Sequence, residues 1–402
     1  MNGMNDMIIM MTTKTTMTIT AKESYNAGDV ILRCKPLVHS LHSDVKAKHC
    51  DNCLKRADQL LTCDRCGKMF YCSEDCRIND WTNGHNGECR VMANKSFDIK
   101  MDSFTRLLIR LYHCVESNTQ FVNNYVETYN GSKIRLKDIE VDFQRFSKDA
   151  KRVTEFMAIT GRLKYLKESY DINDLHRWYA CLRMKLLYPI QYLSENVFEL
   201  NRCLNRPPIA LTVTLGISDF KHSCVANAAI VTNNLNIEVR AMNKIMIGEE
   251  ITINRIEIDK RRSYRKQELG ERFWTECHCY RCLYHLDKDL DYKKYNELLI
   301  DHKKQWNSAN NYKTAERLNQ KFEMDSSFLL QMQLIFGEYH PFITTSMVNS
   351  YLIYAKYSHL STKPLLILWY NRIIEHIEIT HGLGHPLYEM FTKVFKITEF
   401  DN

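Results

Sequence analysis

The stretch "CDNCLKRADQLLTCDRCGKMFYCSEDCRINDWTNGHNGEC", Cys50 to Cys89, governs how the rest of the chain is read. It sets out Cys50-x2-Cys53, Cys63-x2-Cys66, Cys72-x3-Cys76 and His85-x3-Cys89, which makes seven cysteines and one histidine, the complement of two tetrahedral metal sites. Zinc takes thiolate and imidazole donors, and a spacer of two or three residues lets a tight knuckle aim two of them at one ion without strain. Chance would not place four such pairs in register. A segment of about 40 residues buries too little apolar surface to fold unaided, so bound ions are expected to supply much of its folding free energy.

Downstream, "ECHCYRC" adds Cys277, Cys279 and Cys282. Three thiolates leave a tetrahedral ion one ligand short. The natural fourth is Cys224, in "KHSCVAN" from Lys221 to Asn227. Eleven of the fifteen cysteines are then used, and Cys34, Cys114, Cys181 and Cys203 sit apart in apolar or mixed contexts as expected core thiols. The opening "MNGMNDMIIMMTTK" has a short apolar run with no basic segment before it and no cleavage site after it, so no signal peptide is expected. No run approaches the roughly 18 apolar residues of a membrane span. The expectation is a soluble intracellular chain whose clustered thiols hold metal rather than form disulfides.

With 402 residues, 45% of them hydrophobic, the chain is long enough for two or three domains. Its formal charge of +7 raises the question of nucleic acid, but Asp44 to Lys95 carries nine basic against eight acidic residues. Milder excesses fall at Lys133 to Lys167, ten against five, and at Arg255 to Lys266, six against two. These read as solvated helix faces or a basic groove for an acidic peptide, and nucleic-acid binding is not expected.

The Cys50 to Cys89 string, with Tyr71 before Cys72 and Trp81 before His85, resembles the MYND zinc finger. That resemblance implies interleaved sites, Cys50, Cys53, Cys72 and Cys76 on one ion and Cys63, Cys66, His85 and Cys89 on the other, and it implies protein partners such as proline-rich peptides. A His-Ser-Cys motif followed some 50 residues later by C-x-C-x2-C, behind such a finger, resembles the SMYD family of SET and MYND domain protein lysine methyltransferases. The implied architecture is α+β and multi-domain: a β-rich SET core interrupted by the finger and a helical insertion, then a post-SET zinc site and a TPR-like helical domain. In this chain the parts would be SET strands at 15–44, the finger at 45–95, the insertion at 96–204, the SET core at 205–262, the post-SET segment at 263–290 and the helical domain at 291–402.

Local patterns support these parts independently. "NAGDVILRCKPLVHSL" and the alternating "EVRAMNKIMIGEEITI" read as strands, with Gly248, Glu249 and Glu250 at a turn. Leu107, Leu108, Leu111 and Val115 recur at helical spacing. "FGEYHP" and "HGLGHP" share a G-x-x-H-P punctuation 45 residues apart, and "FITTSMVNSYLIYAKY" and "PLLILWYNRIIEHIEI" between them predict a stacked helix pair.

Lysine methylation needs a neutral amine aligned with the sulfonium methyl of S-adenosylmethionine, so positioning dominates the chemistry. The resemblance implies a G-x-G that lets backbone approach this cofactor. Here Thr16, Met17 and Thr18 stand in its place, and β-branched side chains remove the close approach. The family motif begins N-H-S-C, and this chain has Lys221, which offers only donors where an amide offers both roles. The family tyrosine after the G-E-E strand maps to Arg255, expected to turn toward solvent, so no catalytic residue is assigned. Tyr264 would substitute only through rearrangement. His222, Asn196 and Phe273 remain as candidate cofactor contacts.

The expectation is therefore a SMYD-like protein binding three zinc ions, whose SET domain serves as a protein-binding scaffold with methyl transfer lost or weak. The competing expectation is an active S-adenosylmethionine-dependent lysine methyltransferase acting on histone or other proteins. Either would be a monomer without membrane contact, in the cytoplasm, the nucleus or both.

Overall fold

Antiparallel pairing between distant segments builds the core. A computed structural model describes residues 18–93, 101–131, 133–165, 170–190, 208–258, 260–284, 314–356 and 363–400. One three-stranded sheet places Asn236–Ala241 between Val30–Cys34 and Ala228–Asn233. Asn234, at φ 52°, turns the hairpin between its two later strands, in the left-handed conformation that asparagine tolerates. A second sheet places Ala210–Val213 between Val38–Leu41 and Leu187–Ile190. Val38–Leu41 is buried along its whole length although its middle residues are polar, and His39 meets Asp51 O through Nε2 at 2.8 Å.

Lys221–His222 runs parallel to Thr252–Ile253. The N-terminal segment closes this corner: Thr20 bridges Glu250, Ala21 N–H donates to Glu249 O at 2.7 Å, and Ile251 N–H donates to Ile19 O at 2.8 Å. Gly248 supplies the turn with φ 86°. The alternating stretch is strand only at its ends, Asn236–Ala241 and Thr252–Ile253, with irregular chain between them.

The segment expected to be helical contains Ser103–Ser117, Ala150–Tyr165 and Ile172–Cys181. It also carries the hairpin of Tyr125–Glu127 with Lys133–Arg135, and it lends Leu187–Ile190 to the second sheet. Asp102 caps the first of these helices by accepting from Thr105 N–H at 2.9 Å, and Leu107, Leu108 and Leu111 are fully buried. Cys114 and Cys181 are buried thiols, Cys34 is partly buried, and Cys203 lies outside the described residues.

The C-terminal part consists of helices Ala315–Phe336, Pro341–Lys356, Lys363–Thr380 and Pro386–Phe400. Both G-x-x-H-P marks act alike. Gly337 and Gly382, each at φ 87°, end one helix, and Pro341 and Pro386 open the next. The histidine between them caps the new helix: His340 Nδ1 accepts from Phe342 N–H at 3.1 Å, and His385 Nδ1 accepts from Leu387 N–H at 3.2 Å. Their Nε2–H groups reach back to the sheets, to Asn254 Oδ1 at 3.0 Å and Thr232 O at 3.3 Å. Among the described residues no helix is long and apolar enough to cross a membrane.

Candidate metal centres and cofactor corner

Twelve side chains converge in three tetrads: Cys50, Cys53, Cys72 and Cys76; Cys63, Cys66, His85 and Cys89; and Cys224, Cys277, Cys279 and Cys282. Within each, all donor atoms lie within 4.8 Å of one another. Sulfur pairs stand at 3.6 Å for Cys53 and Cys72, 3.7 Å for Cys63 and Cys89, and 3.6 Å for Cys224 and Cys282. A tetrahedron with Zn–S bonds of about 2.3 Å has edges of about 3.8 Å, whereas a disulfide would bring sulfurs to about 2.05 Å. The spacing fits three zinc ions.

Local structure sets the first two tetrads. The hairpin of Leu61–Thr62 with Phe70–Tyr71 presents Cys63, Cys66 and Cys72 around one turn. Ser73 caps Glu74–Asp80 by accepting from Cys76 N–H, which orients Cys76 toward Cys72. Gly84, at φ 129°, kinks the chain so that His85 points inward.

Behind His85 lies a buried ionic network that the cysteine spacing does not reveal. Glu88 Oε1 faces His85 Nδ1 at 3.3 Å, which leaves Nε2 for the metal. Arg106 donates to both Glu88 oxygens at 3.1 Å and to Asp51 Oδ1 at 3.3 Å. Arg110 bonds Glu88 Oε1 at 3.1 Å and Asp80, which also accepts from the Tyr71 hydroxyl at 2.9 Å. These five charged residues are almost fully buried. Burial favours the protonated acid, but the Arg106 and Arg110 guanidiniums hold Glu88 well below the usual carboxylate range. The network ties the finger to helix Ser103–Ser117. Its visible trace in the sequence is a pair of arginines four apart on an apolar helix, with Glu88 three residues after His85.

The third tetrad has a cation of its own. Arg265, 1% exposed, directs Nε to Cys224 Sγ at 3.2 Å and Nη2 to Cys282 Sγ at 3.7 Å. Four thiolates around Zn²⁺ carry a formal charge of −2, and a buried guanidinium offsets part of it. No spacing rule in the sequence marks this residue.

Of the candidate cofactor positions, Thr18, Lys221 and His222 lie in one corner beside the third tetrad. Lys221 Nζ lies 2.6 Å from Thr18 Oγ1 and 3.2 Å from Glu250 Oε1. His222 Nδ1 accepts from Arg255 N–H at 3.1 Å, its Nε2 is 3.4 Å from Cys224 Sγ, and burial lowers its pKa to about 4. Asn227 bonds Glu250 O at 2.8 Å and Thr252 N–H at 2.9 Å, so it serves the backbone of the corner.

Arg255 corrects an expectation. Instead of turning to solvent, its guanidinium caps a backbone loop, with Nε donating to Phe220 O at 2.8 Å and Nη2 to Ile217 O at 3.1 Å and Ser218 O. Free carbonyls at the end of that loop outcompete water for the planar fork. Its Cζ lies 5.7 Å from the Phe273 ring centroid, and burial lowers its pKa to about 10. Phe273 thus lines the cleft beside Arg255, and Tyr264, half exposed on helix Arg262–Phe273, is not among the cleft's lining residues. Asn196, Thr16 and Met17 lie outside the described residues.

The MYND finger family matches residues 50–89. Among similar proteins, N-lysine methyltransferase SMYD2-B of Xenopus laevis is 23% identical over 65% of this chain and 57% of its own length. Histone-lysine N-methyltransferase SMYD3 of Homo sapiens is 24% identical over 66% of this chain and 58% of its own length. A SET and MYND domain-containing protein of Dictyostelium discoideum is 22% identical over 65% of this chain and 78% of its own. The chain thus spans a little under three fifths of the length of the first two. The finger match, the paired tetrads within it and the likeness to SET and MYND domain proteins together support membership of the SMYD family.

Proposed function

We propose that this is a three-zinc SMYD-type protein whose SET region works as a protein-binding scaffold, with methyl transfer lost or weak. The observation that carries the reading is the contact of Lys221 with Thr18 and Glu250. Two positions where the family resemblance implies cofactor contact are occupied by side chains that bond each other instead. A lysine ammonium here would also place a cation beside the sulfonium of S-adenosylmethionine, a repulsion that its pairing with Glu250 and its exposure to water reduce. Arg255 removes the phenol from the remaining reaction geometry.

On this reading the SET core comprises 15–44 and 205–262, the post-SET segment 263–290 and the TPR-like domain 291–402, flanking the finger and the insertion. The finger would take proline-rich peptides and the SET groove lysine-containing protein segments, in the cytoplasm, the nucleus or both. The zinc ions supply rigidity, and the chain's own residues do the rest. Glu88 sets the His85 tautomer, Arg265 neutralises thiolate charge, and His340 and His385 hold the C-terminal helices against the sheets.

The alternative is an active lysine methyltransferase, and its specific support is the methyltransferase activity for which SMYD2-B and SMYD3 are named, together with the retained His222, Ser223 and Asn227. Calorimetry with S-adenosylmethionine on the zinc-loaded protein separates the two. No heat at millimolar cofactor supports the scaffold, and micromolar binding overturns it.

A further inference from the structure

We propose that the cleft beside Arg255 binds an acidic side chain of a peptide. It rests on the scaffold reading and refines it: the bound segment presents an acidic side chain to this cleft, and its lysines lie elsewhere along the groove. The cleft, about 330 Å³, lies between the segment around Leu187–Ile190, the chain from Ile253 to Glu257 and the C-terminal end of helix Arg262–Phe273.

Its charges are unequal in kind as well as number. Lys185, Arg255 and Arg272 face Glu257 and Glu268. Both carboxylates have cationic partners: Glu268 Oε1 takes Arg272 Nη1 at 2.7 Å, and Glu257 takes Lys260 at 3.3 Å. Neither Arg255 nor Lys185 makes an ion pair among the described residues, and the one carboxylate that acts on Arg255, Asp219, does so through space without a hydrogen bond to it. The three hydrogen bonds of Arg255 use Nε and Nη2, and Nη1 has none among the described residues. Arg272 Cζ sits 5.1 Å from the ring of Phe273, the ring that Arg255 also approaches, so two guanidiniums flank one aromatic wall.

A carboxylate answers this arrangement because it accepts from the spare Nη1 and offsets the surplus charge in a partly desolvated space. The opposite corner points to a peptide rather than a bare acid. Glu268 Oε2 is buried and has no partner among the described residues, and it would accept a ligand amide N–H. A lysine side chain would meet cations in this cleft.

The test uses the zinc-loaded full chain and three fluorescein-labelled alanine-rich peptides that differ only at one central residue, Glu, Gln or Lys. The expected order is Glu tightest, by at least tenfold over Gln, with affinity falling as salt rises. Arg255→Gln should abolish the Glu preference. Lys185→Glu, at the rim, should reduce it while three zinc ions per chain show that the fold persists. Equal binding of the Glu and Gln peptides, or a preference for Lys, overturns the inference. Acetate or glutarate competing as well as the Glu peptide would also overturn it, since a bare acid would then suffice. These outcomes are independent of the calorimetry with S-adenosylmethionine: loss of the Glu preference leaves the scaffold reading standing, and cofactor binding refutes the scaffold without altering the peptide order.

Discussion

Lys221 Nζ stands 2.6 Å from Thr18 Oγ1, joining two residues 203 positions apart in the chain. The parallel pairing of Lys221–His222 with Thr252–Ile253, and the bridge from Glu250 to Thr20, bring them together. Two departures from the family pattern are thereby one local rearrangement, in which a cation takes up a hydroxyl and a carboxylate.

If this contact blocks the cofactor, removing it should reopen the corner. Thr18→Gly with Lys221→Asn is expected to give measurable S-adenosylmethionine heat where the parent gives none. Adding Arg255→Tyr should then allow methylation of a lysine peptide, followed by mass spectrometry. Silence of the triple variant would place the remaining defect elsewhere in the corner.

Metal analysis should return three zinc ions per chain. Arg265→Leu should weaken the third site selectively, by about 10–100-fold in a chelator competition, since loss of an outer-shell partner costs roughly that much. The two finger ions should remain at parental affinity. Simultaneous release of all three would show that Arg265 supports the fold rather than the thiolates.

The buried network behind His85 should be sensitive to removal of any one member. Arg110→Met leaves Asp80 and part of Glu88 uncompensated, and breaking a buried pair from one side costs about 3–5 kcal/mol. Denaturant melts of zinc-loaded protein would measure this. A loss under 1 kcal/mol would mean that water already reaches these groups.

Acid should loosen the C-terminal helices. Burial lowers His340 to about 3 and His385 to about 4, and burial, with His385 and Arg240 nearby, also holds His381 well below its usual value. These groups stay neutral in the fold, while the unfolded chain takes up protons below about pH 6.5. Stability should therefore be complete above that pH and decline progressively toward pH 4. The double variant His340→Asn with His385→Asn should flatten this part of the profile, read by thermal melts across pH.

A close approach at the same junction gives a sharper test. A Cβ on Gly382 would stand 2.9 Å from Arg240 Nη1, and its φ of 87° disfavours any side chain. Arg240 in turn bonds Gly28 O, Glu378 O and Ile379 O, which fastens the third C-terminal helix to the first sheet. Gly382→Ala should destabilise by at least about 1 kcal/mol through backbone strain alone. Gly161→Ala, in an open helical position, should be neutral or slightly stabilising by comparison.

The metal-binding pairs were legible in the chain because of their short-range spacing: donors two or three residues apart can aim at one ion without strain, whereas the joining of distant pairs, as of Cys224 with Cys277, Cys279 and Cys282, is completed by the fold. Helix starts and stops were legible for the same local reason, as the G-x-x-H-P marks show. The sequence by itself thus determined the donor pairs and the terminal helices, while the grouping of those pairs on shared ions and the departures at Thr18, Lys221 and Arg255 were read from the family resemblance. Only the tertiary structure decided what those departures do. The Lys221 contact, the inward turn of Arg255 onto the Phe220 carbonyl, and the Glu88 network all depend on partners 18 to more than 200 residues away, brought close by strand pairing and burial. A side chain's charge is written in the sequence, but its direction is set by which unsatisfied groups the fold places within reach.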